Sequence, residues 1–248
     1  MKRQRIRKGL ILAALLLFPV TLDYMSPYLI IEGAFQGIVT GSFLAFAAMF
    51  ISSLLLGRAF CGWLCPGAGL QEACFAVNDA RAKGGRANLI KYAIWVPWLA
   101  GVVMAAVSAG GLTTVDPLYA TDHGISVASV PMYATYYTVI VLFAGLALFL
   151  GRRASCHYIC WMAPFMILGR RAGNALQLPG LRLSAEPAKC TGCGTCTRNC
   201  PMSLDVMAMV EKNLMENDEC ILCGQCADGC RQKAISLGFM RKTGFRSD

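Results

Sequence analysis

One cysteine pattern occurs twice near the C-terminal end of this chain, and it limits the possible folds more than any other feature. Residues 190–201 read CTGCGTCTRNCP and residues 220–230 read CILCGQCADGC. Both runs follow Cys-x2-Cys-x2-Cys-x3-Cys, and the second begins thirty positions after the first. Bacterial ferredoxins use this spacing to ligate [4Fe–4S] clusters. The sequence therefore predicts two such clusters.

The same spacing predicts which thiolates share a cluster. In two-cluster ferredoxins the fourth cysteine of each run ligates the other cluster. We therefore assign one cluster to Cys190, Cys193, Cys196 and Cys230, and the other to Cys220, Cys223, Cys226 and Cys200. Structural zinc is the alternative, since its sites also use Cys-x2-Cys pairs. Two complete runs that both contain the x3 step favour cubane clusters.

The thirteen cysteines of this 248-residue chain would also suit a disulfide framework in an oxidising compartment. Eight of them lie in the two tight runs, which favours metal ligation over disulfides. The rest of the composition indicates that much of this chain contacts lipid. Apolar residues make up 56% of the chain and charged residues only 15%, whereas a soluble domain carries about 25% charged residues.

Four apolar stretches precede the cysteine runs. They are Gly9–Leu22, Gly33–Leu56, Leu89–Ala109 and Pro131–Leu150. A spanning helix needs about 20 apolar residues. The first stretch is short and follows a basic segment, so a secretory signal peptide is its alternative; three further stretches and the lack of a small-residue cleavage site favour a retained helix. The predicted fold is a mainly α membrane protein with four transmembrane helices and a small C-terminal α+β two-cluster ferredoxin-like domain.

The distribution of basic residues predicts the orientation of this protein. All 23 Lys and Arg residues lie in Lys2–Lys8, Arg58–Lys91 and Arg152–Arg246. Because positive loops stay in the cytoplasm, we expect a multi-pass protein of a bacterial or archaeal cytoplasmic (inner) membrane, with both termini in the cytoplasm. The net charge of +9 is then explained by topology and by the anionic inner leaflet, without a nucleic-acid partner.

The sequence predicts three segments: a transmembrane domain over 1–168, a linker over 169–189 and the cluster domain over 190–248.

A second, weaker repeat lies inside the predicted transmembrane domain. LLGRAFCGWLC resembles FLGRRASCHYIC, which favours a duplicated helix pair. Each copy ends at the predicted cytoplasmic edge in a Cys-x3-Cys, namely Cys61 and Cys65, then Cys156 and Cys160. These four cysteines are either ligands of a further metal or redox centre or structural thiols.

These motifs together resemble the NapH-type membrane ferredoxin family, to which MauN and the membrane half of NosR are related. The matching features are GRAFCGWLCPGAGLQE after one span, a second Cys-x3-Cys after a later span, and the terminal pair of ferredoxin runs. The resemblance implies a four-helix membrane subunit that passes electrons from the quinol pool toward a partner reductase. One departure is that Cys160 is followed by Trp161, where the family has proline.

Other redox machinery is missing from the pattern: we find neither a dinucleotide-binding glycine turn nor a phosphate loop. Electrons must therefore come from, and go to, a quinone or other proteins. We expect a quinol dehydrogenase-like electron-transfer subunit that links the quinone pool with a partner oxidoreductase in a larger redox complex. The sequence assigns no catalytic residue. The alternatives are a membrane reductase for metalloenzyme assembly or maturation and a cluster-braced membrane anchor for a partner.

Overall fold

The computed structural model describes residues 2–241, and most of them are helical. The helices are α1 (Lys2–Leu16), α2 (Phe18–Thr21), α3 (Pro27–Phe35), α4 (Gly41–Leu56), α5 (Ala59–Trp63), α6 (Pro66–Ala73), α7 (Ile90–Ser108), α8 (Val130–Leu150), α9 (Ala154–Tyr158), α10 (Ala163–Ala175), α11 (Thr195–Arg198), α12 (Val206–Glu211) and α13 (Gln225–Gly229). The strands are β1 (Ile38–Thr40), β2 (Thr114–Asp116), β3 (Gly180–Ala185) and β4 (Ile235–Met240).

Among residues 2–241, two helical segments are long and apolar enough to cross a membrane. The first is Gly85–Ser108, a 3-10 turn that leads into α7, and the second is α8. The third and fourth predicted spans are therefore confirmed as helices of this length and composition. Helix α4 is also apolar but has only 16 residues.

The second predicted span, Gly33–Leu56, is not a continuous helix, so this prediction was wrong. Helix α3 ends at Phe35, and Gly37 adopts a left-handed φ of +70°. Strand β1 follows and pairs in parallel with β2. A new helix, α4, then begins with Thr40 as its cap, whose hydroxyl accepts a hydrogen bond from the N–H of Phe43. An apolar run does not reveal such an interruption, because it depends on one glycine and one cap.

The first predicted span, Gly9–Leu22, also differs in its bounds. Helix α1 begins at Lys2, inside the basic segment, and ends at Leu16. The short helix α2 follows with Pro19 in its first turn, since proline has no N–H to continue the bonding of α1. The basic residues thus form the first turns of α1, and only its second half is apolar.

The predicted duplication is visible in the order of elements. Helices α4, α5 and α6 recur as α8, α9 and α10. In each copy the longest helix ends at a glycine with positive φ, Gly57 at +54° and Gly151 at +96°. A five-residue helix and then another helix follow. The two copies therefore place their cysteines in the same local structure.

Helices α4 and α10 pack closely against each other and form the centre of the core. Two glycines permit this approach, since a Cβ on Gly169 or on Gly173 would overlap the backbone of α4. Aromatic rings fill the space beside them: Phe165 meets Phe46 and Trp95 edge-on, with ring centroids 5.3 and 5.2 Å apart. The helical part and the cysteine-rich part share one continuous hydrophobic cluster.

The segment predicted as a linker, 169–189, contains the second half of α10 and all of β3. Strand β3 pairs antiparallel with β4, so this segment forms part of the folded C-terminal module. Glu216 joins the two parts further, with its carboxylate 2.7 Å from Arg170 Nε and 2.8 Å from Arg182 Nη1. The domain boundaries themselves stay a prediction.

Candidate iron–sulfur sites and the helix-end cysteines

The first predicted ligand set surrounds one cavity at the protein surface. Its volume is about 420 Å³. The four thiols that line it are those of Cys190, Cys193, Cys196 and Cys230. Three of these come from the first run and one from the second, as the ferredoxin spacing predicts. Cys193 is exposed to solvent, so this site lies at the surface of the molecule.

The second predicted ligand set lies inside the protein. Its four thiols line a smaller, mostly apolar cavity of about 20 Å³: Cys200, Cys220, Cys223 and Cys226. Cys200, Cys223 and Cys226 are each only 8% exposed, whereas Cys220 is half-buried. Met202 and Ile221 beside them are fully buried. The second site is therefore less exposed to solvent than the first.

Four thiols facing one space are the donor set that a [4Fe–4S] cluster requires, so the residues at both sites fit this group. The loops around them also have related backbones. Gly194 and Gly224 adopt φ values of +68° and +72° and immediately precede α11 and α13. Gly192 at +67° corresponds to Leu222 at +49°. The crossed pairing of thiols supports the ligand assignment, which stays a prediction.

The other motif cysteines, which we call the helix-end cysteines, are Cys61, Cys65, Cys156 and Cys160. All four are between 3% and 5% exposed. In each copy the short helix ends before the second cysteine, so the two thiols do not share a helical face. The copies nevertheless match in hydrogen bonding: the N–H of Cys65 donates to Phe60 O at 3.1 Å, and that of Cys160 donates to Ser155 O at 3.0 Å.

The helix-end cysteines from the two copies lie near one another in the shared core. Burial raises the pKa of the Cys65 thiol well above its ordinary value, and the nearby thiols of Cys61, Cys156 and Cys160 raise it further. Within residues 2–241, no group of three or more His, Cys, Asp and Glu side chains is close enough to hold a single metal ion. The role of the helix-end cysteines as ligands of a further metal or redox centre stays a prediction.

A fully buried glutamine, Gln71, connects the two copies. Its Nε2 donates to Gly67 O at 3.0 Å and lies 3.4 Å from Sγ of Cys156. Its Oε1 accepts a hydrogen bond from the N–H of Ser155 at 3.0 Å. The amide of the first copy thus positions the cysteine loop of the second. Sequence reasoning missed Gln71, because a single glutamine in a helix carries no signal of its partner.

Each copy also has a buried arginine three residues before its first cysteine. Arg58 pairs with Glu219 at 2.9 Å, and Lys91 reaches the same carboxylate at 2.6 Å. Arg153 pairs with Glu72, which also binds Arg7 at 2.8 Å. Although burial alone would raise the pKa of Glu72, Arg153 and Arg7 hold it below its ordinary value. The available sequence signal was the arginine at the same distance from the first cysteine in both repeats, Arg58 in Gly-Arg and Arg153 in Gly-Arg-Arg.

The first helix-end loop is in direct contact with the buried ligand set. A Cβ on Gly62 would overlap the carbonyl oxygen of Ile221. The indole of Trp63 donates to Leu222 O at 3.2 Å, and Arg153 Nη1 donates to Cys61 O at 2.9 Å. The loop between Cys61 and Cys65 therefore lies directly against the loop that carries Cys220 and Cys223.

These sites define an iron–sulfur protein, and two family profiles agree. The 4Fe-4S dicluster domain matches residues 189–235. The 4Fe-4S binding domain matches twice, over 38–80 and 134–176. The two matches of the second profile coincide with the two copies of the helix-end motif. The duplication is therefore a feature of sequence as well as of structure.

Several named proteins are similar to this chain over most of its length. YccM of Escherichia coli, whose name assigns it to electron transport, is 28% identical over 82% of this chain and 57% of its own length. The methylamine utilization ferredoxin-type protein MauN of Paracoccus denitrificans is 25% identical over 83% and 70%. MJ0749 of Methanocaldococcus jannaschii, an uncharacterised protein, is 23% identical over 77% and 69%. No solved structure is significantly similar.

The chain spans little more than half the length of YccM. Together with the two family profiles, these relatives support the resemblance stated above, to the NapH- and MauN-like ferredoxin-type iron–sulfur proteins.

Proposed function

We propose that this chain is a membrane-embedded electron-transfer subunit that links the quinone pool with a partner oxidoreductase. The observation that carries this proposal is the contrast between the two thiol sets. One set is buried against the helix-end loops, and the other opens to solvent at Cys193. A [4Fe–4S] cluster accepts and releases single electrons. The protein thus supplies an inner and an outer position for such a group.

The surface site is suited to exchange electrons with a partner protein. Electron transfer needs close approach, and the set around Cys193 is the more exposed of the two to solvent. The buried set is shielded by Met202 and Ile221 and contacts the helical part through Trp63. We assign the inner position to exchange with the membrane and the outer position to exchange with the partner oxidoreductase.

We also propose four membrane crossings with both termini in the cytoplasm. The support is that α7 and α8 are long enough to span and that all basic residues fall in three segments. Helix α4, with 16 residues, and the apolar half of α1 extended by α2 would supply the other two crossings. Both helix-end motifs then lie at the cytoplasmic side, next to the cluster module.

The helix-end cysteines form a further redox site in this proposal. The 4Fe-4S binding domain profile covers both pairs, and both pairs lie in the core beside the second ligand set. A maturation reductase that used these thiols directly on a partner would need them at the surface. They are at most 5% exposed, which favours electron transfer within the chain.

The quinone link is tested by adding a quinol analogue to the purified full chain in nanodiscs. We expect the EPR signal of reduced clusters to grow with the quinol concentration. A variant with Cys220→Ser and Cys223→Ser should lose this response while it keeps a signal from the outer set. If no cluster signal changes with quinol, in the presence or absence of the partner, the quinone link is wrong.

A further inference from the structure

A groove of about 420 Å³ runs along the first helix and ends beside the cluster module. Helix α1 forms one wall with Arg7, Lys8, Ile11, Leu12 and Leu15, and α6 with the following turn forms the opposite wall. The upper end is lined by Asp79, Arg152, Asn199, Pro201 and Gln225. The two walls are held close together, since a Cβ on Gly69 would lie 2.6 Å from Ile11 O.

The polarity of this groove changes along its length. Lys8 is the last basic residue of α1, and only apolar residues line the helix side beyond it. Leu12 is 56% exposed although it lines the groove. In a membrane orientation, the groove therefore crosses the boundary between headgroups and hydrocarbon. Such a site suits a molecule with a polar head and an apolar tail.

Both arginines inside the groove are paired with carboxylates. Arg7 is paired with Glu72, and Arg152 binds both oxygens of Asp79. Lys8 forms no ion pair with the residues of 2–241, so it is the one lining cation left for an anionic phosphate headgroup. The Asp79 carboxylate, at the end beside the cluster module, repels a phosphate group there and can accept a hydrogen bond from a neutral head.

The upper end of the groove is adjacent to the buried thiol set. Asn199 and Pro201 flank Cys200 in the chain, and Gln225 precedes Cys226. Both cysteines belong to the second predicted ligand set. A head bound between Asp79 and these residues would lie next to the inner redox position.

We propose that this groove is the binding site for the headgroup of an isoprenoid quinol. This inference rests on the proposed function, which requires a quinone site but does not locate it. The Asp79 carboxylate accepts a hydrogen bond from a quinol hydroxyl, and Arg152 holds that carboxylate in place. The guanidinium of Arg152 is itself fixed over the Phe75 ring at 5.9 Å. Leu12 and Leu15 contact the first isoprene units.

The test is photolabelling of the full, cluster-containing chain in phosphatidylcholine nanodiscs with an azido-quinone, followed by peptide mapping. We expect label in residues 7–15 and 72–79, and we expect unlabelled quinone to remove it. Leu12→Trp fills the groove and should reduce the label at least tenfold. Leu16→Trp is the matched control, because Leu16 is on the same helix, is 73% exposed and does not line the groove.

A second variant addresses the polar end. Asp79→Asn should weaken competition by unlabelled quinone several-fold while iron content and melting temperature stay unchanged. Label that is competed by quinone but maps to other helices would overturn the groove assignment and leave the quinone link intact. The absence of any competed label would overturn both. Displacement by phosphatidylglycerol, without displacement by quinone, would assign the groove to a phospholipid and overturn the proposal.

Discussion

The side-chain amide of Gln71 lies 3.4 Å from Sγ of Cys156 and connects the two copies of the helix-end motif. The same side chain satisfies the N–H of Ser155. Since Gln71 is completely buried, no water can replace these interactions without a change in packing. Gln71 therefore fixes the loop of the second copy relative to the helix of the first.

Gln71→Met should destabilise the protein while it keeps the side-chain volume. The N–H of Ser155 would lose its partner, and an unsatisfied buried donor costs about 1–3 kcal/mol. The expected result is a lower midpoint in denaturant unfolding of the detergent-solubilised protein. Gln177→Met is the control, because Gln177 is exposed. If both variants had the same denaturant midpoint, the hydrogen bonds of Gln71 would not contribute to the stability of the folded protein.

Glu219→Gln should have a larger effect, because Glu219 neutralises two buried cations, Arg58 and Lys91. Removing one partner of a buried ion pair costs about 3–5 kcal/mol. The neighbouring Asp218 offers a matched control, since its pair with Arg171 is largely exposed and such pairs contribute about 0–1 kcal/mol. Thermal unfolding of both variants is compared with that of the parent. If Asp218→Asn lowered the melting temperature as much as Glu219→Gln, the buried ion pairs of Glu219 would not be the cause of the stabilisation.

The cysteine spacing predicted the pairing of thiols because a cubane cluster needs four donors around one point, and few spacings can supply them. Cys230 belongs to the second run, yet it lines the same cavity as the first three cysteines of the first run. Length and apolarity likewise predicted α7 and α8. These features depend on local covalent geometry or on composition.

The features that the sequence did not reveal depend on distant partners. Glu219 lies next to a predicted ligand and would be expected at the surface, yet it is 7% exposed because Arg58 and Lys91 reach it from the helical part. The interruption at Gly37 depends on the pairing of β1 with β2, which lies more than seventy residues away. The spacing of apolar residues along the sequence does not predict either of these contacts.

Gly62→Ala tests the contact between the helix-end loop and the buried thiol set. The added methyl group would overlap the carbonyl oxygen of Ile221, and overpacking of this kind costs about 1–3 kcal/mol. We expect a lower melting temperature and reduced iron retention during purification. Gly145→Ala is the control, since a Cβ there meets nothing within 4 Å. An unchanged melting temperature in Gly62→Ala would mean that the two loops are not in contact.

Glu72 predicts how stability depends on pH. Its pKa in the folded protein is held below the ordinary value of 4.5 by Arg153 and Arg7, against the effect of burial. The unfolded chain therefore takes up this proton first as pH falls. The stabilising effect of the Glu72 carboxylate is complete above pH 4.5 and is lost as pH falls through the lower folded pKa. Glu72→Gln should be less stable at pH 7 and less sensitive to pH below 4.5. If the free energy of unfolding fell with pH equally steeply in Glu72→Gln and in the parent protein, this prediction would be wrong.

Crossed ligation can be tested by single substitutions in the two runs. If Cys230 belongs with Cys190, Cys193 and Cys196, then Cys230→Ser and Cys190→Ser should alter the same EPR signal, although they lie in different runs. Cys200→Ser should alter the other signal together with Cys220→Ser. This pairing is expected because each group of four lines its own cavity. If Cys230→Ser instead altered the signal shared by Cys220, Cys223 and Cys226, each run would bind its own cluster and the exposed and buried positions would have to be reassigned.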